Sequence, residues 1–195
     1  MTDLAFNLIM DCGQAMLANG GEVFRAQDTM EIMARSFGIV DFHVYVLTNG
    51  IFASAGTAEM SEVRNVPTRT THLGRVAAVN QLSRQIASGE VDTTDEAEAR
   101  LAQARCIPFP KDWVQLAAGM GGAFCFALIF GGTLRSALAA ALAGFLASGY
   151  LLLCEQHELP GGFCKISCAA LITLVCILLY FALLFATRAG LSYYN

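Results

Sequence analysis

The hydrophobic pattern changes character a little past the midpoint of the chain. Up to Lys111, apolar residues recur among polar ones at helical or strand spacing; beyond Trp113 they run together. Three runs, Val114–Phe130, Ala137–Cys154 and Ile166–Thr187, contain no charged residue. A helix rising 1.5 Å per residue needs about 20 apolar residues to cross about 30 Å of hydrocarbon. The third run reaches that length alone, and the first two reach it with interfacial residues at their ends. Spans are therefore predicted at about 113–133, 136–154 and 165–187. Burying three such helices in succession in water would require a much larger protein around them, so the pattern predicts a membrane part.

The preceding residues predict an α+β domain. Leu4, Leu8, Cys12, Ala15 and Met16 recur on one face of a helix from Asp3 to Ala18, with Asn7, Asp11, Gln14 and Ala18 on another. Asn19-Gly20-Gly21 breaks it. A second helix, Glu22–Phe37, carries apolar Phe24, Ala26, Met30, Ile32, Met33 and Phe37 and is closed by Gly38. Two β-rich runs then flank Thr48-Asn49-Gly50, and Asn-Gly at that place predicts a hairpin with a type I′ turn. Phe42, Val44 and Val46 fall on one face, and His43, Tyr45 and Leu47 on the other. A third strand is predicted from Ser61 to Thr68, ending near Pro67. Leu73, Val76, Val79, Leu82 and Ile86 mark a helix from His72 to Ala87 that stops at Ser88-Gly89. Thr93 and Glu96 have capping-box spacing and open a last polar helix ending near Arg105. The prolines of Pro108-Phe109-Pro110 set the boundary. The expected organisation is a cytosolic α+β domain (two helices, β-hairpin plus third strand, two helices) over residues 1–110, then an α-helical membrane domain of three spans over 111–195.

Charge sharpens that division. Residues 1–112 hold nine of the twelve Lys+Arg and fourteen of the sixteen Asp+Glu. With a net charge of −4 and no basic stripe, nucleic acid is excluded as a partner. The seven cysteines show no disulfide-framework spacing, which suits free thiols in a reducing compartment. The opening residues lack a basic stretch and are interrupted by Asn7 and Asp11, so they make a poor signal peptide and leave the domain in the cytoplasm. Arg100, Arg105, Lys111 and Lys165 then lie inside and only Arg135 and Arg188 outside, the expected positive-inside bias.

Candidate chemistry is sparse. Arg25 stands three residues from both Glu22 and Asp28, so all three can share a helix face. That spacing suits a solvated ion-pair ladder. It also suits a fixed cation beside the amides of Gly20, Gly21 and Glu22, an arrangement fitted to a carboxylate. In the first span Gly119, Gly121, Gly122, Gly131 and Gly132, and in the second Ala140, Gly144 and Ser148, are small residues suited to close helix packing or to lining a path. No span carries an ionisable residue at its centre; Arg135, at the outer turn, could attract an anion or reach the headgroups. Cys154-x2-His157 and Cys164-x3-Cys168 have ligand-like spacing, but their helical setting argues against a structural metal. His43 reads as a half-buried sheet residue. Asp41, His43 and Ser54 supply triad residue types without a nucleophile elbow, so no catalytic residue, cofactor or metal is assigned. A membrane-anchored enzyme and a non-catalytic assembly module are the competing readings.

The segment GQAMLANGGEVFRAQDTMEIMARSFGI resembles the opening of the threonine/serine exporter family's N-terminal domain, at Gly13, Gly20, Glu22, Arg25, Asp28 and Gly38. The resemblance continues through the hairpin, Thr68-Arg69 and AVNQLSRQIASGEVDTTDEAEARLAQ into the spans. It implies a non-enzymatic inner-membrane exporter of small carboxylate metabolites, threonine/serine or succinate-like, with a second membrane subunit or further copies of the chain as partners and the lipid bilayer as surroundings. The family's corresponding half usually has five spans, so the resemblance implies that two are missing here and that this chain is incomplete.

Overall fold

The computed structural model describes residues 2–56, 60–66, 70–157 and 159–192. Two compact units, Met1–Phe109 and Pro110–Asn195, divide the chain. The first contains α1 (Thr2–Ala18), α2 (Val23–Ser36), β1 (His43–Leu47), β2 (Gly50–Ala55), β3 (Met60–Asn65), α3 (Leu73–Ala87) and α4 (Thr94–Arg105). The second contains α5 (Asp112–Ile129), α6 (Leu134–Gln156) and α7 (Gly161–Ser192). Among the described residues this is the expected order of helices and strands.

Helix α1 is the hub of the first unit, packing against α2, α3, α4, β2 and β3. That position changes the expected single apolar face. Phe6, Ile9, Met10 and Leu17 are buried together with Leu8, Cys12 and Met16, because the helix is enclosed on several sides, whereas Leu4, near its free end, is 52% exposed. In α2, Ala26, Met30 and Met33 enter the core, but Phe24 and Ile32 are exposed, so those two apolar positions do not belong to the buried face. Helix α3 buries Val76, Val79, Leu82 and Ile86 as its spacing requires, with Leu73 exposed at the first turn. The Thr93 hydroxyl caps α4 by accepting from the Glu96 amide (3.3 Å).

The three strands form an antiparallel sheet in the order β1-β2-β3. Val46, Ile51, Ala53 and Ala55 face the core. On the opposite face Tyr45, Phe52 and Val63 stand in register across the strands, all exposed. His43 lies on this uncovered face and is exposed rather than half-buried. The expected type I′ turn is not formed. Leu47 pairs with Gly50, so Thr48 and Asn49 make the turn, and among the described non-glycine residues only Asp41 has positive φ. Gly50 serves close approach instead: a Cβ there would stand 3.2 Å from the Arg64 carbonyl oxygen of β3. The predicted end of β3 at Pro67–Thr68 lies outside the described residues. Arg64 fastens the sheet to α1 through an ion pair with Asp11 and is held within β3 by Glu62 at 2.7 Å.

The membrane helices differ from expectation at their ends. Gly131 (φ +80°) donates to Leu128 O (3.0 Å) and Gly132 to Ala127 O (2.9 Å), so both glycines close α5 and fall outside it. Thr133 caps α6, which starts at Leu134, two residues before the predicted span. Gly161 and Gly162, expected in a tight return, are the first residues of α7. All three helices are long and apolar enough to cross a membrane.

Candidate functional site

The break between α1 and α2 is built from hydrogen bonds that the residue types alone do not reveal. The Gly20 amide donates to Leu17 O (3.1 Å) and the Gly21 amide to Met16 O (2.8 Å). Both amides are therefore engaged in ending α1 and are not directed to a ligand. Thr70–His72 runs over this turn, with Thr70 N–H donating to Ala18 O (2.9 Å) and His72 N–H to Asn19 O (3.0 Å). Gly20 has φ +85°, and a Cβ there would stand 3.1 Å from Thr70 O. Gly20→Ala should cost about 1–2 kcal/mol from the left-handed backbone alone, read as a lowered melting temperature of the detergent-solubilised chain.

Glu22 is the N-cap of α2, and its side chain makes no cap hydrogen bond. Glu22, Arg25 and Asp28 are all exposed. Among the described residues no ion pair joins Arg25 to either acid, so the ladder their spacing permits is not formed. One cation and two carboxylates thus face solvent at the start of α2, where the first-turn amides add positive potential.

Next to this break lies a cluster that sequence reasoning missed. His72 is the N-cap of α3 rather than its first helical residue; its Nδ1 accepts from the Arg75 amide (3.2 Å) and its Nε2 meets Pro108 O at 3.1 Å. Arg75 Nε donates to Ile107 O (2.9 Å), one terminal nitrogen reaches Asn19 Oδ1 (3.4 Å), and the guanidinium lies 5.3 Å from the Phe109 ring centre. The His72 and Phe109 rings are 4.6 Å apart. Residues 107–109 are thereby strapped to the α1–α2 break. The only sequence signal was the Pro108-Phe109-Pro110 boundary, which marks a helix stop but names no partner for it.

The triad residue types do not assemble. His43 and Ser54 are cross-strand partners on the open sheet face, with no side-chain hydrogen bond between them among the described residues, and Asp41 precedes the strand at φ 54°. Among the described residues no three His, Cys, Asp or Glu side chains are placed to hold a metal ion.

In the second unit α6 is the middle helix, packed by α5 on one side and α7 on the other. A Cβ on Gly119 would stand 3.3 Å from Gly144 O and collide with the Ser148 hydroxyl; one on Gly144 would stand 2.6 Å from Gly119 O and 2.7 Å from Ala123 Cβ. Gly119, Gly144 and Ser148 therefore form the contact between α5 and α6. Gly121 and Gly122 do not share it, since nothing lies within 4 Å of a Cβ on either. Across the other seam the Tyr150 hydroxyl donates to Ser167 Oγ (2.7 Å). Arg135 is exposed in the first turn of α6 and makes no ion pair among the described residues.

The family described as "Putative threonine/serine exporter" matches residues 7–192, across both units. A "Probable threonine/serine exporter" of Mycobacterium tuberculosis is 28% identical over 185 residues, covering 92% of this chain and 35% of that protein. The chain thus spans about a third of the length of this curated relative. No solved structure matches. With the match running from α1 into α7, the chain belongs to the threonine/serine exporter family.

Proposed function

We propose that the chain is one part of a membrane exporter of small carboxylate-bearing metabolites, threonine and serine or a succinate-like dicarboxylate. The observation that carries this reading is the family match running through a folded polar domain into three apolar helices. The N-terminal domain lies in the cytoplasm, beside the inner mouth of the path, and the membrane is the inner membrane. Glu22, Arg25 and Asp28 are the groups that meet the substrate there: Arg25 is the attraction for a carboxylate, and its guanidinium is uncommitted to either acid. Arg135 attracts the anion at the outer end. The path is completed by a second membrane subunit or by further copies of the chain. This is consistent with the open sides of Gly121 and Gly122.

Efflux tests the reading. Cells loaded with labelled threonine, serine or succinate and expressing the chain with its completing subunit should release one of them faster than control cells. Arg25→Ala should lower that rate by about ten- to a hundredfold, the loss expected when one charge-assisted contact worth about 1.5–3 kcal/mol is removed. An unchanged rate removes Arg25 from the substrate path, and no efflux of any of the three removes the proposed substrate class. Orientation has its own check. Cys106, exposed at the end of α4, should resist a membrane-impermeant maleimide in intact cells and react after lysis. Labelling in intact cells would place the domain outside.

A further inference from the structure

The seam between α6 and α7 holds three thiols that the sequence pattern scattered across two helices. Among the described residues of the second unit, the buried side chains are Ala137, Ala143, Cys154, Cys164 and Cys168, so three of five are cysteines. Cys125 in α5 and Cys176 in α7 are exposed. Cys154 has Cys164 and, one turn further along α7, Cys168 as its electrostatic neighbours on this seam. The intervening loop already holds these positions together. The Leu159 amide donates to Cys154 O (3.1 Å), the Cys164 amide to Pro160 O (3.1 Å), and the Cys164 thiol to Leu159 O (3.7 Å). The Cys168 thiol is directed across the seam to Ala147 O (3.9 Å).

We propose that Cys154 and Cys164 form a redox-active dithiol that a small peroxide converts to an intramolecular disulfide, with Cys168 as the alternative partner for Cys154. Burial alone would make an isolated cysteine inert. Two features act against that here. Cys154 lies two residues before the end of α6 and Cys164 three residues after the start of α7, so each is within one turn of the exposed residues that join the helices, His157 on one side and Leu159–Pro160 on the other. Cys154 and Cys164 are both hydrogen-bonded to Leu159, the first through its carbonyl and the second through its thiol, so the resolving step needs no encounter between distant segments.

The chemistry balances with hydrogen peroxide as oxidant. One thiol is oxidised to a sulfenic acid while the peroxide O–O bond breaks and water leaves. The second thiol's sulfur then attacks the sulfenic sulfur, forming the S–S bond and releasing a second water that carries the thiol proton. The product staples α6 to α7 at the loop end. Its formation does not depend on what the protein transports.

The full chain in membrane vesicles is treated with hydrogen peroxide, quenched in acid, alkylated with a maleimide, digested and analysed by mass spectrometry. The expected product is a Cys154–Cys164 cross-linked peptide, lighter by two hydrogens and reversed by dithiothreitol, while Cys125 and Cys176 remain alkylated. Cys154→Ser should abolish the intrachain link, and Cys164→Ser should move it to Cys168. The proposal is overturned if Cys154 and Cys164 stay reduced under conditions that oxidise exposed Cys106. It is equally overturned if the links join separate chains, or if all the helix thiols oxidise at the same rate.

Discussion

Gly144→Leu should separate α5 from α6. The new Cβ would lie 2.6 Å from Gly119 O and 2.7 Å from Ala123 Cβ. The first of these is backbone and cannot be relieved by a rotamer change, so the helices must move apart. Overpacking a well-filled contact costs about 1–3 kcal/mol and occasionally more. An unyielding backbone partner and the larger Leu side chain place this variant at the upper end, about 3 kcal/mol. The better helix propensity of Leu returns only about 0.8 kcal/mol. In lipid no hydrophobic force draws the helices back, because close packing is itself what holds them together. Thermal melting of the detergent-solubilised chain should therefore shift strongly downward. Gly121→Leu and Gly122→Leu are the controls: with nothing within 4 Å, each should stay within about 0.5 kcal/mol of the parent. If these two variants fold normally yet lose efflux, their open side is where the completing helices sit. A Gly144→Leu chain as stable as the parent would contradict the tight crossing.

That contrast shows how far the sequence could be read. All five glycines near the first span look alike as letters, and small-residue spacing announces close packing without saying which helix is approached. The structure assigns Gly119 to the α6 contact, leaves Gly121 and Gly122 open, and puts Gly131 and Gly132 into a turn. Element order was legible because periodicity, capping residues and the run of uncharged helices are local signals. Long-range relations were not. The spacing predicts one apolar face for α1, yet Phe6, Ile9, Met10 and Leu17 beyond that face are buried too while Asn7 stays exposed, because burial depends on what packs around a helix as well as on its own pattern. Asn49-Gly50 predicted the right hairpin for the wrong reason: the glycine admits the backbone of β3 and does not supply positive φ. The exposed charges of α2 follow from spacing, and the Gly20 and Gly21 amides are engaged locally, three and five residues back; the His72–Arg75–Phe109 strap required contacts across 30 or more positions that no local pattern encodes.

A second large effect follows from the cysteine at the centre of the first unit. Cys12 is fully enclosed, and burial pushes its thiol from 9.0 up to about 12, with nearby Arg105 opposing and Asp11 adding to the rise. The raised value means that the folded chain keeps the proton after the unfolded chain has released it. This contribution to stability is fully present below about pH 9 and is lost as pH climbs towards 12. At about 1.4 kcal/mol per pH unit, about 2 kcal/mol should be gone by about pH 10.5 and about 4 kcal/mol over the whole interval. Cys12→Ala leaves a small cavity, a penalty that itself does not vary with pH, so the variant should be less stable than the parent at neutral pH. Its alkaline decline should be shallower, and the two stability curves should converge between pH 9 and 12. Thermal unfolding of the detergent-solubilised chain, followed by far-ultraviolet circular dichroism across that range, measures the gap. Parallel curves would show that the thiol is hydrated in the folded domain, and the packing around α1 would have to be looser than described.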